Sequence, residues 1–348
     1  MLASCLIAFR IYQDNDSDIT SFVAFGEDDP VRADYGRERL GEVFLRPDLG
    51  HDGKFFFIQA NDPFLLDPEA NASYLDDPVY RAQRMLYPVL AGAGGAASPE
   101  VIVWLMLLIN LVGLGLGALA VGLIATHMGA SAWWGLAFPL NVGLISEMSL
   151  DGAGVIAAAA GFAAVAAIQR ERSLLGIGFL VMAALSREVM VIVAAGCALW
   201  LWRHGRKQLA VLAASMPVLA VALWSMFVRI RVESGSSGAG ERLGWPFVGM
   251  WDAFEDWIRE PVDLAIGVVL ILLLVLFVRR VLLSDSLVGW ANLGFVALAL
   301  LLTVEVWRNY FDITRALAPV ITAFVVLIAA SDRGADQHMR APIPPRVT

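Results

Sequence analysis

The sequence predicts an all-α polytopic membrane protein, because its composition, its long apolar runs and the placement of its charges all match that class. Of the 348 residues, 58% are hydrophobic and 17% are charged. A soluble domain is about 45–50% apolar and about 25% charged. Burial of one helix in a soluble core would explain a single apolar run, but it does not explain a chain that is apolar along most of its length after Pro99.

The apolar residues form blocks long enough to cross a membrane. The run 101–126 holds one polar side chain before its end, Asn110, and the run 262–278 holds one charge, Asp263. About 20 apolar residues span the hydrocarbon core of a bilayer, and backbone in that core must be helical to pair its own amides. We therefore predict about nine crossings after the polar N-terminal region. The predicted spans are 101–126, 132–149, 152–168, 174–186, 188–202, 208–228, 262–280, 287–306 and 315–330.

The polar segments divide the chain into four predicted parts. Residues 1–11 are expected to be the remnant of a first transmembrane helix, and 12–99 a loop domain with a helix over 80–90 at the membrane interface. Residues 100–330 form the transmembrane helix bundle, and 331–348 form a polar cytoplasmic tail. A flexible linker is predicted at 234–240, which is rich in glycine and serine.

The first residues admit two other interpretations. The sequence from Leu2 to Cys5 looks like a lipoprotein cleavage box, but no hydrophobic region precedes it. A cleaved signal peptide fits poorly as well, because a basic start and a full apolar region are missing. The two cysteines, Cys5 and Cys197, both lie in apolar stretches and predict no disulfide framework.

Basic residues in the short loops predict the orientation. One set of loops is the richer in arginine and lysine, which places it in the cytoplasm by the positive-inside rule and the 12–99 domain outside. The net charge of −8 is concentrated in acidic segments before Pro99, which argues against a nucleic-acid partner. The cytoplasmic set comprises Arg170, Arg172, Arg203, Arg206, Lys207, Arg279, Arg280, Arg333, Arg340 and Arg346.

Charged residues at the outer ends of the predicted helices are the candidates for chemistry. Ionisable groups at membrane depth are costly, so they mark either a functional site or a paired structural bridge. Both interpretations remain open for Arg187 and Glu188. The charged residues in question are Glu147, Asp151, Arg187, Glu188, Glu305, Arg308, Asp312 and Arg315.

Four segments carry a resemblance to a known superfamily. The segment 51–63, HDGKFFFIQANDP, is followed by 77–88, DPVYRAQRMLYP, then by 185–188, LSRE, and by 312–319, DITRALAP. In this order the segments resemble motifs of bacterial GT-C superfamily glycosyltransferases, which are polytopic membrane enzymes. The resemblance implies a GT-C-like helix bundle with a large first external loop. It departs from the family in the incomplete first helix.

The resemblance also implies an activity: inverting transfer of a sugar from a polyprenyl-phosphate donor to a glycan or lipid acceptor. A carboxylate can act as the general base for the acceptor hydroxyl, and Asp52 is the expected base. Arginine or lysine would stabilise the departing phosphate in a dry site. A simple turn at Asp52 and Gly53 is the alternative. The residues expected to bind substrate are Lys54, Asp62, Arg81, Arg84, Arg187, Glu188, Asp312 and Arg315.

The acidic run 14–18 is a candidate metal site. It contains the Asp-x-Asp pattern twice, and Asp16 and Asp18 are the expected ligands of a divalent cation. The run is not an EF-hand, because Ile19 stands where that loop requires glycine. A solvated acidic loop is the other interpretation. The four histidines are scattered and show no zinc spacing.

The leading hypothesis is therefore a hexosyl- or pentosyltransferase in the bacterial cytoplasmic membrane, with its active site on the external side. Its expected partners are the polyprenyl-phosphate sugar, the acceptor and membrane lipids. One alternative is a transporter or flippase of lipid-linked glycan, although no paired halves with broken helices are visible. The other is a non-catalytic assembly partner. Trp245, Trp251 and Trp257 are interpreted as an interfacial belt, with sugar stacking as the alternative.

Overall fold

The computed structural model describes residues 2–232 and 243–339, and this part of the chain is almost entirely helical. Its strands are a parallel pair of two residues each, β1 (Phe25–Gly26) and β2 (Leu45–Arg46). The helices are α1 (Leu2–Asp14), α2 (Pro30–Leu40), α3 (Gly53–Asn61), α4 (Pro68–Asn71), α5 (Pro78–Arg81), α6 (Leu86–Ala91), α7 (Pro99–His127), α8 (Val142–Ser149), α9 (Gly154–Gln169), α10 (Ser173–Ser186), α11 (Val191–Arg203), α12 (Lys207–Arg231), α13 (Val248–Trp257), α14 (Pro261–Ser284), α15 (Leu287–Leu301), α16 (Val304–Trp307) and α17 (Tyr310–Met339).

The predicted class, an all-α polytopic membrane protein, is confirmed. Among the described residues, four helices are long and apolar enough to cross a membrane: α7, α12, α14 and the 310–330 part of α17. The helices α9, α10 and α15 are apolar but shorter. The predicted number of about nine full crossings therefore exceeds what helix length and composition support.

Two predicted spans are broken helices. In 132–149, a 3-10 turn over Ala132–Ala137 precedes α8, because Pro139 cannot continue a helix and Asn141 caps the next one by accepting a hydrogen bond from Gly143 N (2.9 Å). The span 287–306 ends α15 at Leu301 before the short helix α16. The carbonyl of Leu301 instead accepts a hydrogen bond from Gly244 N (2.7 Å).

The bundle packs around α9, which consists largely of alanine and glycine and is buried on nearly all sides. Small side chains let α7 and α10 approach it closely, as membrane helices do. The helices α12 and α14 lie on the outside, with many exposed apolar side chains. A lipid-facing position explains that exposure, because lipid tails are as apolar as the side chains they contact.

The loop domain has its own aromatic core, which packs on the first turns of α7. Phe25, Phe57 and Tyr35 meet edge to face inside it. The helix predicted over 80–90 is instead two short helices, α5 and α6, and Tyr87 is fully buried rather than interfacial. Pro88 lies in the first turn of α6, where a helix tolerates proline.

The loop domain lies against the end of the bundle where α7, α9 and α17 begin and α8 and α10 end. The last turns of α12 join it as well: Trp224 Nε1 donates to Ala82 O (2.6 Å) and Arg231 Nη2 donates to Leu65 O (2.7 Å). The predicted tail 331–348 begins as helix, because α17 continues to Met339. Residues 340–348 and the predicted linker 234–240 lie outside the described residues.

Candidate functional site

Asp52 lies immediately before α3, at a position that the backbone of Gly50 makes possible. Gly50 has φ +70°, and a Cβ there would lie 2.2 Å from Ala24 O, so only glycine fits. Three guanidinium groups surround the Asp52 carboxylate. Arg81 Nη1 donates to Asp52 Oδ1 at 2.6 Å, while Arg84 Nη1 and Arg315 Nη2 lie 3.6 and 3.9 Å from Oδ2.

Arg81 is held by a second carboxylate, that of Asp76. Its Nε and Nη2 atoms donate to the two oxygens of Asp76, each at 2.8 Å, in the bidentate geometry that suits a guanidinium. Burial opposes ionisation of Asp76, but the hydrogen bond and charge of Arg81 outweigh it, so the pKa of Asp76 is lowered. The Arg81 guanidinium also lies 4.0 Å from the centre of the Phe55 ring. Its position is therefore determined on three sides.

Arg84 connects the loop domain to the bundle. Its Nε and Nη2 atoms donate to the two carboxylate oxygens of Glu188, at 3.2 and 3.3 Å, and Nη2 also contacts the Tyr80 hydroxyl. Glu188 opens a 3-10 turn after α10, where Arg187 adopts an extended conformation. The break between α10 and α11 thus places two charged side chains at the end of the bundle.

Glu147, near the end of α8, lies between two more arginines. Arg187 Nη1 and Arg315 Nε donate to its Oε1 atom at 2.9 and 3.1 Å. Arg315 also contacts Asp312 (3.3 Å), one turn earlier in α17. We call these nine residues the arginine–carboxylate cluster: Asp52, Asp76, Arg81, Arg84, Glu147, Arg187, Glu188, Asp312 and Arg315.

The cluster contains four arginines and five carboxylates, so an anion can enter it only by displacing carboxylates from the arginines. Guanidinium groups held by carboxylates are preorganised, and in a site that excludes much of the water they stabilise phosphate charge strongly. The Asp52 and Glu188 side chains are 22% and 29% exposed, whereas that of Glu147 is 3% exposed. An entering anion would therefore displace the more exposed carboxylates, Asp52 and Glu188, from their arginines, whereas the buried Glu147 would keep its contacts.

His51 borders the cluster. Its ring lies 5.7 Å from that of Phe311, and the Arg315 guanidinium lies 5.6 Å from the same phenyl ring. Burial lowers the pKa of His51, and the charge of Arg315 lowers it further. At neutral pH this histidine is therefore an uncharged group at the edge of the site.

Two predicted substrate-binding residues have other partners. Lys54 is buried against the Asp29 carboxylate and the Leu49 carbonyl. Asp62 closes a turn by accepting hydrogen bonds from Leu66 N (2.7 Å) and Asp67 N (2.9 Å). Both sets of contacts organise the loop domain, so their predicted role in binding substrate has no support from the geometry.

The predicted metal ligands lie in a turn after α1. Asp18 accepts hydrogen bonds from both the backbone N and the hydroxyl of Thr20 (2.8 Å each), which makes it the cap of the following 3-10 turn. Asp16 is in the left-handed conformation at φ 56°. Within residues 2–232 and 243–330, no three acidic, histidine or cysteine side chains are grouped to hold a metal ion.

An apolar groove of about 490 Å³ lies along α17. Trp133 and Trp134 line one wall, while Ile321 and Val325 of α17 line the other. Thr314, the residue before Arg315, forms part of the same groove. Thr314 therefore links the groove to the segment of α17 that carries Arg315.

The sequence placed Glu147 among the candidate charged residues without giving it a role, and it did not point to Asp76. A signal for Glu147 was present, because a carboxylate within an apolar run needs a partner, but its arginines are 40 and 168 residues away in the chain. Comparison with protein-family models, with curated proteins and with solved structures found no match. The fold defines the class, a polytopic membrane protein, and the structure adds a cluster of four arginines and five carboxylates at one end of the bundle.

Proposed function

We propose that this protein is a membrane glycosyltransferase that moves a sugar from a polyprenyl-phosphate donor to a hydroxyl of a glycan or lipid acceptor. One observation carries the proposal. The four segments that resemble GT-C motifs, 51–63, 77–88, 185–188 and 312–319, each contribute charged residues to the same cluster. The convergence of segments so far apart in sequence supports their likeness to the motifs.

The proposed reaction uses the cluster in two ways. The acceptor oxygen forms a bond with the anomeric carbon while the bond from that carbon to the phosphate oxygen breaks, and configuration inverts. The proton of the acceptor hydroxyl passes to the Asp52 carboxylate, and the phosphate leaves with the electron pair. Arg81, Arg84 and Arg315 contact Asp52 at 2.6, 3.6 and 3.9 Å, so a donor phosphate that attracts them would release this carboxylate to act as base.

The apolar groove supports a lipid-linked donor. A polyprenyl chain is a flexible hydrocarbon, and the groove lined by Trp134 and Ile321 offers it an apolar surface that includes Thr314, the residue before Arg315. A free nucleotide sugar has no long hydrocarbon chain that could contact such a surface. We place the reaction at the external face of the bacterial cytoplasmic membrane, because the arginine distribution assigns the opposite loops to the cytoplasm.

The test is a transfer assay with the purified protein in liposomes. Radiolabelled polyprenyl-phosphate sugars are supplied with cell-envelope glycan or lipid acceptors, and transfer is scored as label that becomes resistant to mild acid. Acid-resistant label on the acceptor supports the enzyme. Label that crosses the bilayer still attached to the lipid, without transfer, would overturn the proposal in favour of a flippase.

A matched pair of variants controls for folding. Arg315→Gln removes a guanidinium from the cluster, whereas Arg37→Gln removes one from an exposed pair with Asp34 on the loop domain. We expect transfer to fall with Arg315→Gln and to be unchanged with Arg37→Gln. Equal transfer by both variants would contradict a role for the cluster.

A further inference from the structure

Glu147 is buried more deeply than any other carboxylate of the cluster, and its own segment is shaped to hold it. Its side chain is 3% exposed, and its Oε2 atom accepts a hydrogen bond from Gly154 N at 3.0 Å. A Cβ on Gly152 would lie 2.1 Å from Oε2, and a Cβ on Gly154 would lie 2.5 Å from the carboxyl carbon. At both positions a Cβ would displace the Glu147 carboxylate from its present place.

The partners of Glu147 come from two other parts of the fold. Arg187 follows α10 and Arg315 belongs to α17, and both donate to the same oxygen, Oε1. One arginine would neutralise the single charge of Glu147, and Arg315 is shared with two further carboxylates, those of Asp52 and Asp312. The pair is therefore held closer together than two like charges would stay without a carboxylate between them.

We propose that Glu147 is a positioning residue that holds Arg187 and Arg315 side by side for the phosphate of the donor. This inference rests on the proposed glycosyltransferase function, and it adds a role for a residue that does not touch the substrate. Glu147 balances one of the two positive charges, and the phosphodiester monoanion of the donor balances the other. Asp52 and Asp312 occupy Arg315 until the donor enters.

The substitution Glu147→Gln tests the inference because it preserves size and removes the charge. We expect the KM for the polyprenyl-phosphate sugar to rise about 10–100-fold, the loss that corresponds to one charged hydrogen bond. We expect kcat to fall by a smaller factor than KM rises, because the group that accepts the proton is untouched and both arginines remain to stabilise the departing phosphate. A purely structural role would lower the melting temperature without separating KM from kcat.

A double-mutant cycle with Arg187→Gln provides the second measurement. If Glu147 acts through Arg187, the rise in KM caused by Glu147→Gln should shrink at least about threefold when Arg187 is already replaced. Should Glu147→Gln fail to fold, Gly154→Ala takes its place. That change keeps the carboxylate but displaces it, and alanine is compatible with the first turn of α9.

The outcomes separate the two proposals. Absence of transfer by the unmodified protein, with every donor tried, would overturn the proposed function. Normal transfer by the unmodified protein together with an unchanged KM in both Glu147→Gln and Gly154→Ala would overturn the positioning role alone. Fully additive effects of the Glu147 and Arg187 changes would also overturn it.

Discussion

Replacing Arg84 by glutamine should destabilise the contact between the loop domain and the bundle. The Arg84 side chain is 5% exposed, and it donates two hydrogen bonds to Glu188 across the junction. Its guanidinium also lies 3.6 Å from Asp52. In the variant, Glu188 keeps its charge but loses the arginine that compensates it.

The expected loss follows from the burial of the two partners. Removing one member of a fully buried ion pair costs about 3–5 kcal/mol. The Glu188 side chain is 29% exposed, so solvent screens part of the uncompensated charge, and we expect a loss of about 2–3 kcal/mol. Replacing both residues, in the Arg84→Gln, Glu188→Gln variant, should recover at least about 1 kcal/mol, because no unpaired carboxylate remains.

Thermal unfolding in detergent, followed by the fluorescence of the buried tryptophans, measures these differences between variants. The exposed pair of Arg37 and Asp34 is the matched control, and its removal should change stability by less than about 0.5 kcal/mol. If the losses for Arg84→Gln and Glu188→Gln simply add in the double variant, the two side chains do not stabilise the junction together, and the reasoning fails.

Three further predictions concern orientation, pH and backbone. In a Cys5→Ser background, a cysteine that replaces the exposed Ser73 should react with a membrane-impermeant maleimide in intact cells. A cysteine that replaces Arg172 should not react. The reverse pattern would mean that the predicted orientation is inverted. The pKa of His51 is lowered in the folded protein, so the unfolded state binds the proton more tightly and stability should fall as the pH drops below about 6.5. Melting curves of His51→Gln should show a weaker dependence on pH. An unchanged dependence would contradict the buried position of the ring. Gly50→Ala should lower stability by more than backbone strain alone, which costs about 1–3 kcal/mol, because the new Cβ meets Ala24 O. Gly41→Ala, also at positive φ but with open space around it, should lose only the strain energy. Equal melting temperatures of the two variants would contradict the tight turn before Asp52.

The sequence predicts the class of the fold well and its helices less well. Composition and the length of the apolar runs suffice to predict a polytopic membrane protein, because long apolar segments in a bilayer must pair their own backbone amides as helices. The break inside 132–149 could have been predicted from Pro139 and Asn141, a helix breaker followed by a good cap. The separation of α16 from α15 could not, because it depends on hydrogen bonds from Gly244 and Phe247 to the end of α15.

For the site, residue types were predictable but pairings were not. The segments around Asp52, Arg81 and Arg187 were selected by their motifs, and all three residues lie in the cluster. Lys54 is positively charged like Arg81 and Arg187, and it lies two residues from Asp52 in sequence. Its side chain nevertheless contacts Asp29, which is 25 residues away in sequence and comes near only in the folded loop domain. Long-range pairing of this kind leaves no local signal.

The most direct test of the account is the rate of sugar transfer by Asp52→Asn, compared with Asp34→Asn, in the liposome assay with a polyprenyl-phosphate sugar. Asparagine keeps the size of the side chain and removes the basic electron pair. We predict that Asp52→Asn lowers the rate about 10²–10⁴-fold, the usual contribution of a general base, while Asp34→Asn retains full activity. Full transfer by Asp52→Asn would contradict the assignment of the base and with it the proposed mechanism.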